Sequence, residues 1–145
     1  MPATVVFYDP QVDVAVLYVP DLNLSPLQFA GQASPGDNAV VAGYPLNALD
    51  LHTVPARIGD IQNAQGPNIY QTSTVTRQIY EIRAVVESGN SGGPLLSPAG
   101  TVDGVVFAAA VGVSDTGFAL TAAEVAPDAR AGAQSTTAVS TMGCD

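Results

Sequence analysis

Short apolar runs separated by proline and glycine dominate the chain. The runs are rich in valine, isoleucine and other residues that are typical of strands. No long amphipathic pattern with the period of a helix lies between them. We therefore predict an all-β domain, with strands at residues 5–8, 12–19, 38–45, 54–62, 69–81, 95–96, 102–111 and 118–121.

One of these runs, at 69–81, alternates without producing a purely apolar face. Ile69, Val75 and Ile79 share one side of the expected strand with polar Gln71 and Glu81. A mixed face suits a strand that bends around a small barrel better than a strand in a flat sheet.

The pattern changes after Thr121, where alanine-rich sequence begins. Thr121 and Glu124 have the spacing of a capping box, which predicts the start of a helix. Because Pro127 lacks an N–H donor, we expect one or two turns and a fresh start at that residue, ending at Gly132. The small polar residues at 133–145 predict a weakly ordered tail.

Charge excludes several classes of partner. The chain has 145 residues, 13 of them acidic and 4 of them arginine, with no lysine and a formal net charge of −9. Such a surface repels phosphates, so we expect neither nucleic acid nor a membrane surface as a partner. With few cations to pair with, the carboxylates should be protonated at little cost in folding energy, so we also expect tolerance of acid pH.

Metal ions and membrane spans find no support in the sequence. One cysteine and one histidine, far apart, make no ligand cluster, and we expect no cofactor. The longest apolar stretch, 105–113, is about half of the roughly 20 residues that cross a bilayer.

The run Gly89-Asn90-Ser91-Gly92-Gly93-Pro94 carries the clearest chemical signal. A serine hydroxyl becomes a useful nucleophile when a tight turn presents it beside backbone N–H groups that stabilise an oxyanion. Glycine allows that turn, and Pro94 ends it before an apolar strand. The same composition also occurs in ordinary linkers, but a linker is rarely held between two apolar segments such as 84–86 and 94–96.

This run resembles the nucleophile loop of the trypsin-like serine proteases, in the bacterial HtrA-type variant in which asparagine precedes the serine. Two further segments resemble the family in the same order: Gln11 to Leu17, like the stretch that supplies the triad aspartate, and 104–110 with 117–121, like the strands around the specificity pocket. The resemblance implies a chymotrypsin-like fold, with a complete six-stranded antiparallel second barrel, a first barrel that is mostly missing, and a short C-terminal helix. We expect a first-barrel remnant at 1–20, a linker at 21–36, the second barrel at 37–135 and a tail at 136–145.

The resemblance also implies a role for each site residue. Ser91 would attack the substrate, the N–H groups of Gly89 and Ser91 would form the oxyanion hole, and Asp13 would orient a histidine. The alternative for Asp13 is an aspartate in a turn before a strand.

The histidine is the departure from the family pattern, in which it precedes the aspartate. The one histidine, His52, follows Asp13 and falls in an expected loop. We interpret His52 as a loop residue without a chemical role and expect the catalytic base to come from an upstream protease segment outside the chain. On this expectation the chain alone is inactive.

Pocket residues follow from the same resemblance. The position six before Ser91 is Val85, which would form the floor of an apolar pocket, or Ala84 or Val86 if the alignment slips by one. Phe107, Ala108 and Ala109 would form a wall and pair with an extended peptide. We therefore expect cleavage of peptide or protein substrates after apolar residues.

The resemblance implies an extracytoplasmic, periplasmic setting, with membrane anchoring through helices outside the chain and a role under stress or acid. Cys144 would then pair with a cysteine of the upstream segment, or else be an ordinary exposed thiol. Two other functions stay open: a protease-like module that binds peptides without cutting them, and a barrel that serves only as an assembly surface.

Overall fold

The structure is a computed structural model that describes residues 1–144. By contacts it divides into two compact units: unit 1, with residues 1–26, 65–76 and 125–145, and unit 2, with residues 27–64 and 77–124. The elements in chain order are β1 (Thr4–Asp9), β2 (Val14–Tyr18), β3 (Asn38–Gly43), β4 (His52–Pro67), β5 (Thr74–Arg83), β6 (Pro94–Leu96), β7 (Val102–Ala109), β8 (Thr116–Thr121) and α1 (Ala122–Ala133).

Six strands close into a barrel in the order β3-β4-β5-β8-β7-β6, which confirms the predicted all-β, chymotrypsin-like fold with a short C-terminal helix. The shortest strand, β6, closes the ring: Leu95 pairs with Val41 of β3 on one side and with Gly104 of β7 on the other. Alternate residues of each strand point inward, so small and branched side chains fill the interior.

Tyr80 is the largest side chain of this interior, and it is fully buried. Its hydroxyl accepts a hydrogen bond from the backbone N–H of Ala33 at 2.9 Å. Ala33 is itself buried in the core, and the backbone around it pairs with β7 through bonds from Ala30 N–H to Val102 C=O and from Val102 N–H to Gln28 C=O. Residues 27–33, expected to belong to the linker at 21–36, therefore pack as part of unit 2.

The strand expected at 69–81 begins later than predicted, at Thr74. The Asn68 side chain explains the difference, because its amide donates to the hydroxyls of Thr72 and Ser73 and its oxygen accepts from the Thr72 N–H at 2.9 Å. These bonds give the backbone an alternative to a strand ladder and hold a turn. In this turn Gln71 has a left-handed backbone conformation, with a φ of +56°.

The helix also differs from the prediction, because α1 runs through Pro127 as one continuous element of 12 residues. The Thr121 hydroxyl accepts from the Glu124 N–H at 3.3 Å, which is one half of the expected capping box. The Glu124 carboxylate does not return to Thr121 but accepts from the Gln78 N–H at 3.0 Å. Pro127 is exposed, so water can satisfy the carbonyl that its missing N–H leaves free.

In unit 1 a hairpin of β1 and β2 is held to the C-terminal segment. Val139 N–H donates to Val5 C=O at 2.9 Å, and the Tyr70 hydroxyl donates to Thr141 C=O at 2.6 Å while bonding the Tyr8 hydroxyl at 2.8 Å. Burial, together with the bond to Tyr70, raises the pKa of Tyr8 above its ordinary value. Residues 136–144 contain neither helix nor strand, and these bonds attach this part of the tail to the hairpin.

No helix within residues 1–144 combines the length and apolar character needed to cross a membrane. The described part of the chain likewise contains no group of three or more histidine, cysteine, aspartate and glutamate side chains that could hold a metal ion.

Asp103 is a buried acid on β7, with only 4% of its surface exposed. Burial raises the pKa of its carboxyl, and the negative charge of Asp37 raises it further. A raised pKa means that the folded state holds the proton more tightly than the unfolded state. The stability that this provides is complete below the unfolded pKa and is lost as the pH rises through the folded pKa.

The first prediction concerns Gly132, which faces Val16 within unit 1. A Cβ at this position would overlap all three side-chain carbons of Val16, so the Gly132→Ala variant should be destabilised. The clash opposes a gain in helix propensity of about 1 kcal/mol, and we expect a net loss of about 1–2 kcal/mol in urea unfolding. Gly66→Ala, which meets open space, is the matched control; a Gly132→Ala protein more stable than the parent would contradict the packing.

A second prediction concerns Asp103→Asn, which removes the buried charge. The variant should be more stable than the parent at pH 7, by about 1 kcal/mol or about 4 °C in Tm, and the difference should shrink towards pH 4 as Asp103 becomes protonated. Asp60→Asn removes an exposed charge of the same unit and should change little. Calorimetry from pH 4 to 7 measures both, and a loss of stability in Asp103→Asn at pH 7 would overturn the argument.

Candidate active site

The loop that follows Val86 and leads into β6 is a compact turn held by its own backbone. Asn90 N–H donates to Glu87 C=O at 3.0 Å, and Gly93 N–H donates to Asn90 C=O at 3.0 Å. Gly92 N–H donates across to Val106 C=O of β7 at 2.8 Å. The loop is therefore fixed to the barrel on the side where β6 begins.

Within residues 89–93, two N–H groups are left without a hydrogen-bond partner. Among residues 1–144, no oxygen accepts a hydrogen bond from the N–H of Gly89 or of Ser91, although the N–H groups of Asn90, Gly92 and Gly93 are all bonded. Free donors two residues apart, beside an exposed serine, are what an incoming oxyanion requires.

Close packing explains why glycine occupies position 89. Its φ is +98°, and a Cβ there would lie 2.6 Å from the Tyr44 carbonyl oxygen and 2.8 Å from the Leu46 nitrogen. The same turn bonds to the loop directly, because Leu46 N–H donates to Ser88 C=O at 2.7 Å. The turn at 44–46 therefore sets the orientation of the Gly89 peptide.

Asn90 is buried beneath this loop with 1% of its surface exposed. Within residues 1–144 neither end of its side-chain amide has a hydrogen-bond partner. Its Oδ1 lies 2.9 Å from the position that a Cβ of Gly43 would take, so the absence of a side chain at Gly43 makes room for it. The direction of Asn90 is thus fixed by packing.

Ser91 is exposed, and its hydroxyl donates only to the Phe107 carbonyl, at 3.4 Å. It opens onto a cavity of about 440 Å³. The cavity is mostly apolar, and its lining comes entirely from unit 2: Leu27, Ala42, Gly43, Tyr44, Leu51, Gly89, Ser91, Gly92, Gly93, Pro94 and Leu96.

The four residues expected to bind substrate do not line this cavity. Val85 follows β5 and is 51% exposed, whereas Phe107 and Ala108 are half-buried and Ala109 is exposed at the end of β7. The β7–β8 register shifts between Val106 and Ala108, which leaves Phe107 as a bulge with its carbonyl towards Ser91. Strand β6 pairs with β7 only as far as Val105, so the Phe107–Ala109 segment has no partner strand on that side.

Asp13 lies in the turn that joins β1 to β2, in unit 1. It has a left-handed φ of +70°, which aspartate tolerates better than most residues, and its N–H donates to Asp9 C=O at 3.0 Å. The side chain is exposed, and its carboxylate receives no hydrogen bond from the described residues.

His52 is the first residue of β4, where it pairs with Gly43. It is exposed and does not line the Ser91 cavity, although its neighbour Leu51 does. Within residues 1–144 the structure thus shows no hydrogen bond between the one imidazole and the serine hydroxyl.

Sequence reasoning missed Leu27, Tyr44 and Leu51, which line the Ser91 cavity. A signal existed for Tyr44, since Gly43-Tyr44-Pro45 is a turn sequence after an apolar strand. Leu27 and Leu51 carry no such signal, because only the closed barrel brings their segments to the loop.

Comparison with known proteins agrees with this geometry. The trypsin-like peptidase domain matches residues 1–105. Serine protease Rv3671c of Mycobacterium tuberculosis is 52% identical over 126 residues, covering 86% of this chain and 32% of the relative. A probable periplasmic serine endoprotease, DegP-like, of Chlamydia pneumoniae is 32% identical over 124 residues, covering 82% of this chain and 24% of the relative.

Comparison with solved structures also finds a serine protease. The crystal structure of the Rv3671c protease in its active form superimposes with a TM-score of 0.92 at 49% identity, covering 98% of this chain and 63% of that one. The chain spans about a third of the length of the curated relatives that it matches. On its family match, its identity to named serine proteases and its barrel, this chain belongs to the family of trypsin-like serine peptidases.

Proposed function

We propose that the chain supplies the nucleophile and oxyanion hole of a serine endopeptidase that works by a Ser-His-Asp mechanism. The observation that carries the proposal is the pair of unbonded N–H groups, of Gly89 and Ser91, on either side of a buried asparagine. A turn that served only as a connection would gain by bonding these donors.

In the first step the Ser91 Oγ bonds to the substrate carbonyl carbon, and its proton passes to an imidazole. The electron pair of the carbonyl moves to its oxygen, which accepts hydrogen bonds from Gly89 and Ser91. When the tetrahedral species collapses, the carbon–nitrogen bond breaks and the imidazolium gives its proton to the leaving amine. Water then releases the acyl group by the same steps.

Asp13 is the proposed partner of that imidazole. Its carboxylate is exposed and accepts no hydrogen bond from residues 1–144, so it is free to hold an imidazole N–H. Its left-handed backbone is fixed by the hairpin turn, which limits the directions its side chain can take.

The imidazole in this proposal comes from a histidine outside residues 1–145. His52 is bound into β4 opposite Gly43 and makes no hydrogen bond to Ser91. The relatives named as serine proteases are about three times as long as the matched region, which leaves ample sequence for such a residue.

Substrate binding is proposed along the free edge of β7. An extended peptide would add as a strand beside Phe107, Ala108 and Ala109, because β6 pairs with β7 only as far as Val105. The Phe107 carbonyl faces the Ser91 hydroxyl and would accept the N–H next to the scissile bond. Exposed Val85 would contact the side chain before the cut, which favours apolar residues there.

The setting proposed for this activity is extracytoplasmic, with anchoring to a membrane and activity under stress or acid. Exposed Cys144 is then available to pair with a cysteine elsewhere in the full protein. One relative is named as a probable periplasmic endoprotease, which supports this setting.

Labelling with a fluorophosphonate tests the nucleophile. The full-length protein should react at Ser91, with loss of fluoride, and mass spectrometry should locate the adduct there; the 145-residue chain should react at least about a hundredfold more slowly. Ser91→Ala should abolish labelling, whereas Ser88→Ala, an exposed serine of the same loop, should not. Labelling that survives Ser91→Ala, or its absence from the full-length protein, would favour a peptide-binding module.

The packing of Asn90 against Gly43 gives a second test. A methyl group at position 43 would press on Asn90 and turn the Gly89 and Ser91 N–H groups away from the oxyanion. We expect Gly43→Ala in the full-length protein to lower kcat by about tenfold or more while KM changes little. Gly66→Ala, which meets open space, is the control, and equal kcat values for the two variants would show that Asn90 does not set the loop.

A further inference from the structure

Unit 2 has a second cavity, of about 420 Å³, which shares no lining residue with the Ser91 cavity. It is bounded by the segment before β3, by the start of β3, by the turn after β6 and by β7. Its lining residues are Ala30, Gly31, Gln32, Ala33, Asp37, Asn38, Ser97, Pro98 and Asp103.

Asp103 lines this cavity although only 4% of its surface is exposed. Among residues 1–144 no group donates a hydrogen bond to its carboxylate, and it forms no ion pair. Asp37 differs, because it is exposed and its Oδ2 accepts the Ser34 N–H at 2.8 Å. The cavity thus has one unpartnered carboxylate deep inside and a second carboxylate nearer to solvent.

A buried carboxylate without a partner is costly to keep charged, and a matching cation would remove that cost. Residues 1–144 do not supply one. The guanidinium of Arg57 contacts Asn38 Oδ1 at 3.4 Å but forms no ion pair with Asp37 or Asp103. Burial and the charge of Asp37 both raise the pKa of Asp103, as expected when no cation lies close.

The shape of the cavity argues for an organic cation and against a bare metal ion. Fewer than three acidic or metal-ligating side chains converge here within the described residues, and the volume far exceeds that of one ion. Ala30, Ala33 and Pro98 offer apolar surface along which the stem of a long basic side chain can pack. The backbone N–H groups of Gly31 and Gln32 donate to nothing among residues 1–144, so they can bond a peptide backbone.

We propose that this cavity binds the basic side chain, arginine or lysine, of another polypeptide, with its cationic head at Asp103 and its stem between Ala30 and Pro98. Asp37 strengthens the attraction from the rim. The site lies in a different cavity from Ser91, so it serves recognition of a basic segment and not the cleavage step.

Titration of the isotope-labelled chain with small probes tests the proposal. The probes are the Nα-acetyl N-methylamides of arginine, lysine and citrulline, the last being the uncharged counterpart of arginine. The amide signals of Gly31 and Gln32 should shift with the arginine or the lysine probe, and citrulline should bind at least about tenfold more weakly. Comparison of the two cationic probes decides which side chain the site prefers.

Variants identify the carboxylate. Asp103→Asn should weaken binding of the preferred probe by at least about tenfold, whereas Asp60→Asn, an exposed acid of the same unit, should leave it unchanged. The titratable or charged groups at or beside the cavity are Asp103, Asp37, the Tyr80 hydroxyl, whose pKa is raised by burial, and the Arg57 guanidinium, which contacts Asn38 of the lining. Binding should therefore tighten from pH 4 to pH 7 as Asp103 ionises, and this dependence should be weaker in Asp103→Asn.

Three results would overturn the proposal. These are equal affinity for the arginine and citrulline probes, an Asp103→Asn variant that binds as well as the parent, and saturation of the same amide signals by calcium ions at concentrations that displace the cationic probes. A folded Asp103→Asn protein, checked by its amide spectrum, keeps the second result interpretable.

Discussion

Closure of the barrel by β6 is the constraint on which the site depends. This strand is only three residues long, yet it pairs with β3 and β7 at once, and Leu95 at its centre is completely buried. On the β7 side Leu95 pairs with Gly104, whose missing side chain leaves room for the Leu120 carbonyl oxygen of β8. Because Pro94 follows the nucleophile loop directly, the strands that complete the core also fix one end of that loop.

The backbone of the loop places N–H groups beside Ser91, where an oxyanion can accept their hydrogen bonds. Within residues 89–93, three N–H groups bond within the turn or to β7, and the two that remain free lie on either side of Asn90. The side chains of the site contribute little to this arrangement, which rests on main-chain bonds and on the contact between Gly89 and the turn at 44–46. A rigid loop of this kind has its donors in place before charge develops, and such preorganisation is a large part of catalysis by acyl-transfer enzymes.

Much of this could be predicted from the sequence, because local composition encoded it. The glycines around Ser91 predicted the turn, the short apolar runs predicted an all-β domain, and the family resemblance implied the closed barrel that the chain does form. The two errors concern the start of β5 and the continuity of α1. Asn68 bonds forward to Thr72 and replaces strand with turn, while α1 continues through Pro127 as one element.

The residues that line the Ser91 cavity could not be predicted from the local sequence. Leu27 and Leu51 lie far from Ser91 in sequence, and only the paired strands bring their segments together. Asp103 posed the same difficulty, since an aspartate between valine and glycine in a strand pattern gives no hint of burial without a partner. Whether such a residue is buried depends on the closed fold and cannot be predicted from the pattern of a single strand.

The three glycines at positions 43, 89 and 93 carry a consequence for how this protein can change over generations. Each leaves space for an atom of a neighbouring segment: Gly43 for the Asn90 side chain, Gly89 for the Tyr44 carbonyl and Gly93 for the Ala42 carbonyl. A larger residue at any one of them is therefore harmful until its neighbour moves, and no single step reaches a new arrangement. The turn after β3 and the nucleophile loop should accordingly evolve as one unit.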